Sequence, residues 1–280
     1  VTGFLLQTWG ELRKLFTRRR SYMGFAAVLI LQTVILVMIK RPRGQAFIEN
    51  FIRKNGEGVD YYFSAPTIGF LILHGSIILL GGIYISLVAG DIVAKDSEDG
   101  NLRMLLARPV SRLRVLGAKY LACLVYNALF VFFMGVASLV LGFCVEGFGG
   151  GFLALAPDRG VVTFFPESQA LPRYFLCVAL VTVSMMTVTT IAFLFSCLPI
   201  KPAAATILAL SVIIIDMIIS ENPLTGDVVL LTDHLAVWVR AGLFHIPWAE
   251  IWRSYLILFG VNVTLFTAGW VVFQSRDFKS

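Results

Sequence analysis

Long apolar runs alternate along this chain with short polar stretches, and the alternation predicts its elements. Six runs, over residues 22–39, 68–90, 115–144, 173–198, 203–219 and 254–273, are close to or above the roughly 20 residues that carry a helix across about 30 Å of hydrocarbon. Each is continuous and lacks the ten-residue alternation of a membrane barrel. Six transmembrane helices are therefore expected. The run at 68–90 holds Gly69, Gly75, Gly81 and Gly82, small residues that let neighbouring helices approach closely.

The segments between the runs predict the rest. Over 4–20, Leu5, Trp9, Leu12 and Phe16 recur at helical spacing while Glu11, Arg13, Lys14 and Arg18 take other faces. That pattern fits an interfacial helix, or equally a cytoplasmic extension of the first span. Residues 40–67 form a loop long enough for one short helix over 45–54, and 145–172 form a Gly- and Pro-rich loop. Pro199 to Pro202 make a tight turn. In 220–253 the apolar pieces 228–231 and 235–243 are too short to cross, so short re-entrant or interfacial helices are expected before the last span.

The most charged island, 91–114, reads DIVAKDSEDGNLRMLLARPVSRLR. Ser97 or Asp96 is expected to cap a short helix over 98–108, with Glu98 and Asp99 in its first turn, where free amides favour carboxylates. Leu102, Leu105 and Leu106 share one face, and Pro109 ends the helix by restricting Arg108. Ser111 can cap the next helix, and Asp91 and Lys95, four apart, can pair. Two readings fit. The helix docks on a soluble partner through Leu102, Met104, Leu105 and Leu106, or it lies on the inner leaflet with its leucines in lipid.

Composition agrees with the pattern. Of 280 residues, 58% are hydrophobic and 14% charged, against about a quarter charged in soluble domains. The formal charge of +6 would suggest nucleic acid in a soluble protein, but here cations at span ends account for it, and no nucleic acid is expected. With six spans both termini share a side. Five Lys/Arg in 1–21, six in 91–119, Lys201 and two in the tail exceed nine on the other side, which places both termini and the 91–114 island in the cytoplasm. The first outer loop, with Lys40, Arg41, Arg43, Arg53 and Lys54, works against that bias. No cleaved signal peptide is expected near the start. The four cysteines lack metal-ligand spacing. Cys144 and Cys177 either pair near the outer surface or stand as apolar thiols.

Catalytic patterns are missing: there is no HExxH, GxSxG or Walker A motif, and only three histidines. Neither an enzyme nor a bound cofactor is expected. Within the spans, Thr182 and Thr187 belong to a hydroxyl band, and Asp216 is the one acid well inside an apolar run. All three are candidates for a translocation path. Hydroxyls bonded to their own backbone and a wetted span end are the competing explanations.

Glu98-Asp99-Gly100-Asn101-Leu102-Arg103-Met104-Leu105-Leu106-Ala107-Arg108-Pro109-Val110-Ser111-Arg112, followed by Lys119-Tyr120, resembles the cytoplasmic segment of ABC-2 type permeases, the transmembrane subunits of type V-fold ABC exporters. Asn101 stands where that family usually has Thr. Trp9-Gly10-Glu11-Leu12-Arg13-Lys14 is similar to its N-terminal interfacial helix, and Arg276-Asp277-Phe278 to its Arg-Asp ending. The resemblance implies one permease domain over 1–280 in the inner, cytoplasmic membrane, paired with a second copy as a homodimer or related heterodimer. It implies a separate ABC ATP-binding subunit that carries ATP and Mg. It makes Glu98, Asp99, Gly100, Leu102, Arg103, Met104, Leu105, Leu106, Arg108, Pro109 and Arg112 coupling residues, with Pro199 to Pro202 a second contact. A drug, peptide, lipid or polysaccharide export role, or one in metal-enzyme maturation, would all be compatible. A self-contained transporter or channel and an integral-membrane enzyme are the alternatives from other classes.

Overall fold

Helices dominate because apolar runs of this length can satisfy every backbone group internally. A computed structural model describes residues 2–17, 19–54, 59–102, 110–147, 149–156, 161–220 and 230–276. In chain order the helices are α1 (Thr2–Thr17), α2 (Arg19–Lys40), α3 (Pro42–Lys54), α4 (Val59–Tyr62), α5 (Ala65–Ser76), α6 (Gly82–Glu98) and α7 (Arg112–Glu146). After a hairpin of β1 (Phe152–Ala156) and β2 (Val161–Phe165) come α8 (Glu167–Cys197), α9 (Pro202–Ser220), α10 (Leu231–Leu235) and α11 (Trp248–Ser275). One π-helical turn, Ile77–Gly81, joins α5 to α6, and a 3₁₀ segment, Ala236–Gly242, follows α10.

Six of these helical stretches are long and apolar enough to cross a membrane: Ser21–Lys40, Ala65–Glu98, Arg112–Glu146, Glu167–Cys197, Pro202–Ser220 and Trp248–Ser275. The chain is a multi-pass helical membrane protein. The α5–α6 span and α8 form the centre, each 61% buried over its apolar window, whereas the α9 span is 11% buried and leaves most of its surface outward.

Hydrogen bonds between helices tie the centre together, because polar groups in an apolar setting need protein partners. Buried Gln32 of α2 donates to the Met134 carbonyl at 3.0 Å. Tyr174 of α8 donates to the Gly135 carbonyl of α7 at 2.7 Å, and Asn127 of α7 donates to the Thr182 carbonyl at 3.1 Å. Tyr255 of α11 donates to the Leu180 carbonyl at 2.8 Å. At the α5–α7 crossing, a Cβ on Gly142 would stand 2.4 Å from the Ala65 carbonyl oxygen, so only glycine permits this approach.

The 145–172 segment departs from the expected loop. Its two apolar runs form an antiparallel hairpin with Phe152 opposite Phe165 and Ala156 opposite Val161. One face, with Phe152, Ala154, Ala156 and Phe165, enters the main core. The other, with Leu153 and Leu155, packs on Ile48 and Ile52 of α3. Burial on both sides explains why β1 reads as a continuous apolar run without alternation. The Leu153 amide is satisfied by Thr67 Oγ1 at 2.9 Å. An all-α expectation thus holds for the spans, and the hairpin is an addition at one end of the bundle. α8 also begins at Glu167, earlier than the expected 173, and carries Pro172 within its early turns.

Candidate functional site

The end of the bundle opposite the hairpin gathers α1, the end of α6 and the start of α7 around a buried charge cluster. Lys119 of α7 has a side chain with 0% exposure. It donates to Glu11 of α1 at 2.7 Å and also to Asp96 of α6. Lys14 of α1 reaches both Asp96 carboxylate oxygens at 2.7 Å. Two cations thus face two carboxylates, and each buried charge has an opposite partner, the condition under which such burial is tolerated. Burial of Glu11, Leu12 and Leu15 against α7 turns the α1 face carrying Leu5, Leu6 and Trp9 outward. The apolar stripe expected on α1 is therefore split: Leu12 faces protein, and Leu5 and Trp9 do not.

Several expectations for the 91–114 island are corrected here. Asp96, Ser97 and Glu98 do not open a new helix; they finish α6. The helix stops at Asp99, whose amide bonds the Lys95 carbonyl at 2.9 Å, and at Gly100, which has φ of +72°. A left-handed residue just past a helix end is a glycine C-terminal stop, so the DG pair reads as a terminator rather than as a first turn. Lys95 bridges forward to Glu98 at 3.1 Å and Asp99 at 3.2 Å, away from the expected Asp91 pairing. Leu102, expected on the docking face, is 1% exposed and belongs to the main core. It anchors the segment because an apolar side chain this close to the bundle gains more from packing than from solvent. Arg103, Met104, Leu105, Leu106, Arg108 and Pro109 lie outside the described residues. Ser111 does cap α7, its hydroxyl accepting from the Arg114 amide at 3.3 Å.

The same end is closed by arginines that the sequence had flagged only by resemblance. Arg112 donates to the Gln274 carbonyl at 2.7 Å and to the Arg276 carbonyl at 3.0 Å. Arg276 donates to the carbonyls of Cys197 and Leu198 and to Ser97 Oγ at 3.0 Å. The end of α11 is thereby fastened to the ends of α6 and α8. Beside them lies a crevice of about 580 Å³ lined by Asp91, Lys95 and Glu98 from α6 and by Lys201, Pro202 and Thr206. It brings the 98 region and the Pro199–Pro202 turn together, although they are a hundred residues apart in the chain.

The three path candidates fare differently. Thr182 donates to the Val178 carbonyl of its own helix at 2.7 Å, and Thr187 is fully buried in α8. Asp216 accepts from the Thr232 amide at 2.6 Å and from the Leu231 amide at 3.4 Å, and the Thr232 hydroxyl also donates to it. Its carboxylate therefore holds the start of α10 against α9, which is a structural use for the acid. None of the three lines the cavity beneath α10. That cavity, about 160 Å³, is walled by His74, the π turn, α8, α9, α10 and the 3₁₀ segment. Nearby, His234 of α10 shares a hydrogen bond with Ser254 at 3.1 Å, and burial lowers its imidazole below the usual pKa.

At the hairpin end Lys40 pairs with Glu146. Arg173 stacks over the Phe165 ring at 4.8 Å and donates to the carbonyls of Ala241, Leu243 and Phe244. Cys144 is exposed and Cys177 buried, and neither is bridged, so the disulfide considered between them does not form. Among the described residues, no group of three or more His, Cys, Asp or Glu could hold a metal ion.

The fold and these sites define a six-span helical membrane protein with a charged, cross-linked end. Residues 24–279 match the model of the family described as "Protein of unknown function (DUF2705)", and the chain belongs to that family. A stretch of 72 residues is 32% identical to "Uncharacterized protein YhcI" of Bacillus subtilis (strain 168), covering 26% of this chain and 23% of that protein. The match therefore spans less than a quarter of that relative's length.

Proposed function

We propose that this chain is the membrane-spanning permease subunit of an ATP-driven exporter of the ABC-2 type. The observation that carries the reading is the Lys119–Glu11–Asp96–Lys14 cluster, which joins α1 to the end of α6 and the start of α7, the two helices that the 99–111 connection links. A push delivered to that segment would move three helices together. In this reading α1 is the interfacial helix, the charged end faces the cytoplasm of a cell with this chain in its inner membrane, and the segment that follows the Gly100 stop carries the coupling contact. Exposed Glu98 and Asp99 present its acidic approach. ATP and Mg belong to a separate ABC ATP-binding subunit, and a second permease copy completes the assembly, surrounded by membrane lipid. The α10 and 3₁₀ segments are the short re-entrant helices at the exit.

The mechanism is a population shift. Closure of the ATP-binding partners favours one of two packings of α6 against α8 and α9, and the path opens on the other side. Loss of the fixed charges at Glu98 and Asp99 would weaken the encounter, since charge complementarity sets orientation at such contacts.

Co-expression with a soluble ATP-binding subunit encoded beside this chain tests the reading. The pair is expected to co-purify and to hydrolyse ATP. Joint Glu98→Lys, Asp99→Lys and Leu105→Asp changes should cut recovery of the partner at least about tenfold, roughly 1.4 kcal/mol. Unchanged recovery would remove the coupling assignment. Substrate flux through the purified chain with no ATPase present would replace the exporter with a self-contained transporter.

A further inference from the structure

The cavity beneath α10 has the character of a binding site. It measures about 160 Å³, and among the described residues its lining is apolar apart from His74, Thr232 and the indole N–H of Trp238. An apolar cavity of about 150 Å³ in a protein core stays dry and accepts benzene. Among the described residues no charged group lines it, so an ion entering it would lose hydration with no opposite charge from them in return. Asp216, one residue before the lining Met217, is engaged by the Leu231 and Thr232 amides and by the Thr232 hydroxyl.

The walls favour a ring. Trp238 is tilted against His74 with centroids 5.7 Å apart, and His74 stacks parallel to Phe70 at 6.3 Å. On other walls stand Met185 and Met217, whose adaptable thioethers make favourable contacts with aromatic edges. The mouth lies on the flank of α9 and the π turn, where Ile78 is 53% and Met217 37% exposed. That flank is apolar, so the entrance opens sideways from the spans. The π turn itself contributes Ile77 and Ile78 to the lining, and such turns inside helices commonly accompany sites. α10, held by Asp216, forms the lid.

We propose that this cavity binds a neutral molecule through a single aromatic ring that arrives from the apolar phase, with His74 and Thr232 at its polar edge. The ring fills the space between Trp238 and the two methionines. This rests on the cavity alone, so the exporter reading stands or falls separately.

The probe is 4-bromobenzyl alcohol, added to the purified full-length chain in detergent, with quenching of Trp238 by bromine as the readout. The Trp238 component is the difference between the chain and its Trp238→Phe variant, which also cancels quenching of the exposed tryptophans by probe dissolved in the micelle. A saturable quench is expected, displaced by benzyl alcohol. It should weaken at least about tenfold in Gly82→Leu, because the ideal Cβ at Gly82 meets nothing within 4 Å and a larger side chain can enter the lining without a backbone clash. Ile78→Phe at the exposed mouth gives a second variant that leaves the core untouched. A non-saturable quench, or one unchanged in both folded variants, would overturn the site. Equal quenching by 4-bromobenzylammonium would overturn the requirement for neutrality, and displacement by 1-hexanol as effective as by benzyl alcohol would overturn the preference for a ring.

Discussion

Lys119 of α7 lies wholly inside the protein and donates to Glu11 of the N-terminal helix at 2.7 Å, across 108 positions of chain. Removing one member of a buried ion pair leaves an uncompensated charge, whereas removing both leaves only a packing defect. Lys119→Met is expected to cost about 3–5 kcal/mol. The double change Glu11→Gln, Lys119→Met should cost less than the two single changes added together. Lys14→Met should cost about 1 kcal/mol or less, since Lys14 is partly in solvent and Asp96 keeps Lys119. Reversible unfolding in detergent, followed by circular dichroism, measures all four. Equal losses for Lys14→Met and Lys119→Met would contradict the arrangement.

Asp216 fastens α10 by charge-assisted hydrogen bonds, which Asn reproduces only in part. Asp216→Asn should weaken the lid by about 1–3 kcal/mol. The signature is faster hydrogen exchange at the Leu231 and Thr232 amides with no change in α7. Uniformly faster exchange through the spans would mean that Asp216 supports the whole bundle instead.

Two glycines in spans should respond in opposite ways. At Gly142 an added methyl meets the Ala65 carbonyl oxygen, so Gly142→Ala should destabilise by about 1–3 kcal/mol through a forced separation of α5 and α7. At Gly82 the space is open, and Gly82→Ala should be neutral or stabilising by up to about 1 kcal/mol through lower backbone entropy. Thermal midpoints of the two variants in one detergent decide the matter.

Cys144 is exposed, and Cys123, Cys177 and Cys197 are buried. A maleimide should modify Cys144 in the folded chain and reach the other three only after unfolding, with intact mass giving the count. In whole cells a membrane-impermeant maleimide extends the measurement to orientation. Labelling of Cys144 from outside is expected if the hairpin end is external, and labelling only after the cells are broken would reverse the topology.

The sequence by itself determined the six spans, because a helix that crosses hydrocarbon needs a continuous apolar run, a local property visible without any partner. It also indicated a short helix over 45–54, which the structure extends to Pro42–Lys54, and the serine cap of α7. The hairpin carries a local signal in Pro157-Asp158-Arg159-Gly160, a turn composition between the apolar run FLALA and the β-branched and aromatic run VVTFF. Only the tertiary structure decided which polar residues meet. Glu11, Lys14, Asp96 and Lys119 have ordinary local settings, and nothing in their spacing shows that three helices bring them within hydrogen-bonding distance. Likewise Asp216 reads as an acid in an apolar run until α10 folds back onto it. Long-range pairing depends on how whole helices pack, and periodicity within one helix does not carry that information. The charged island at 91–114 was legible as a boundary, but the place of residues 91–98 in the end of α6 rested on the left-handed Gly100 and on Leu102 turning inward, both settled by the bundle around them.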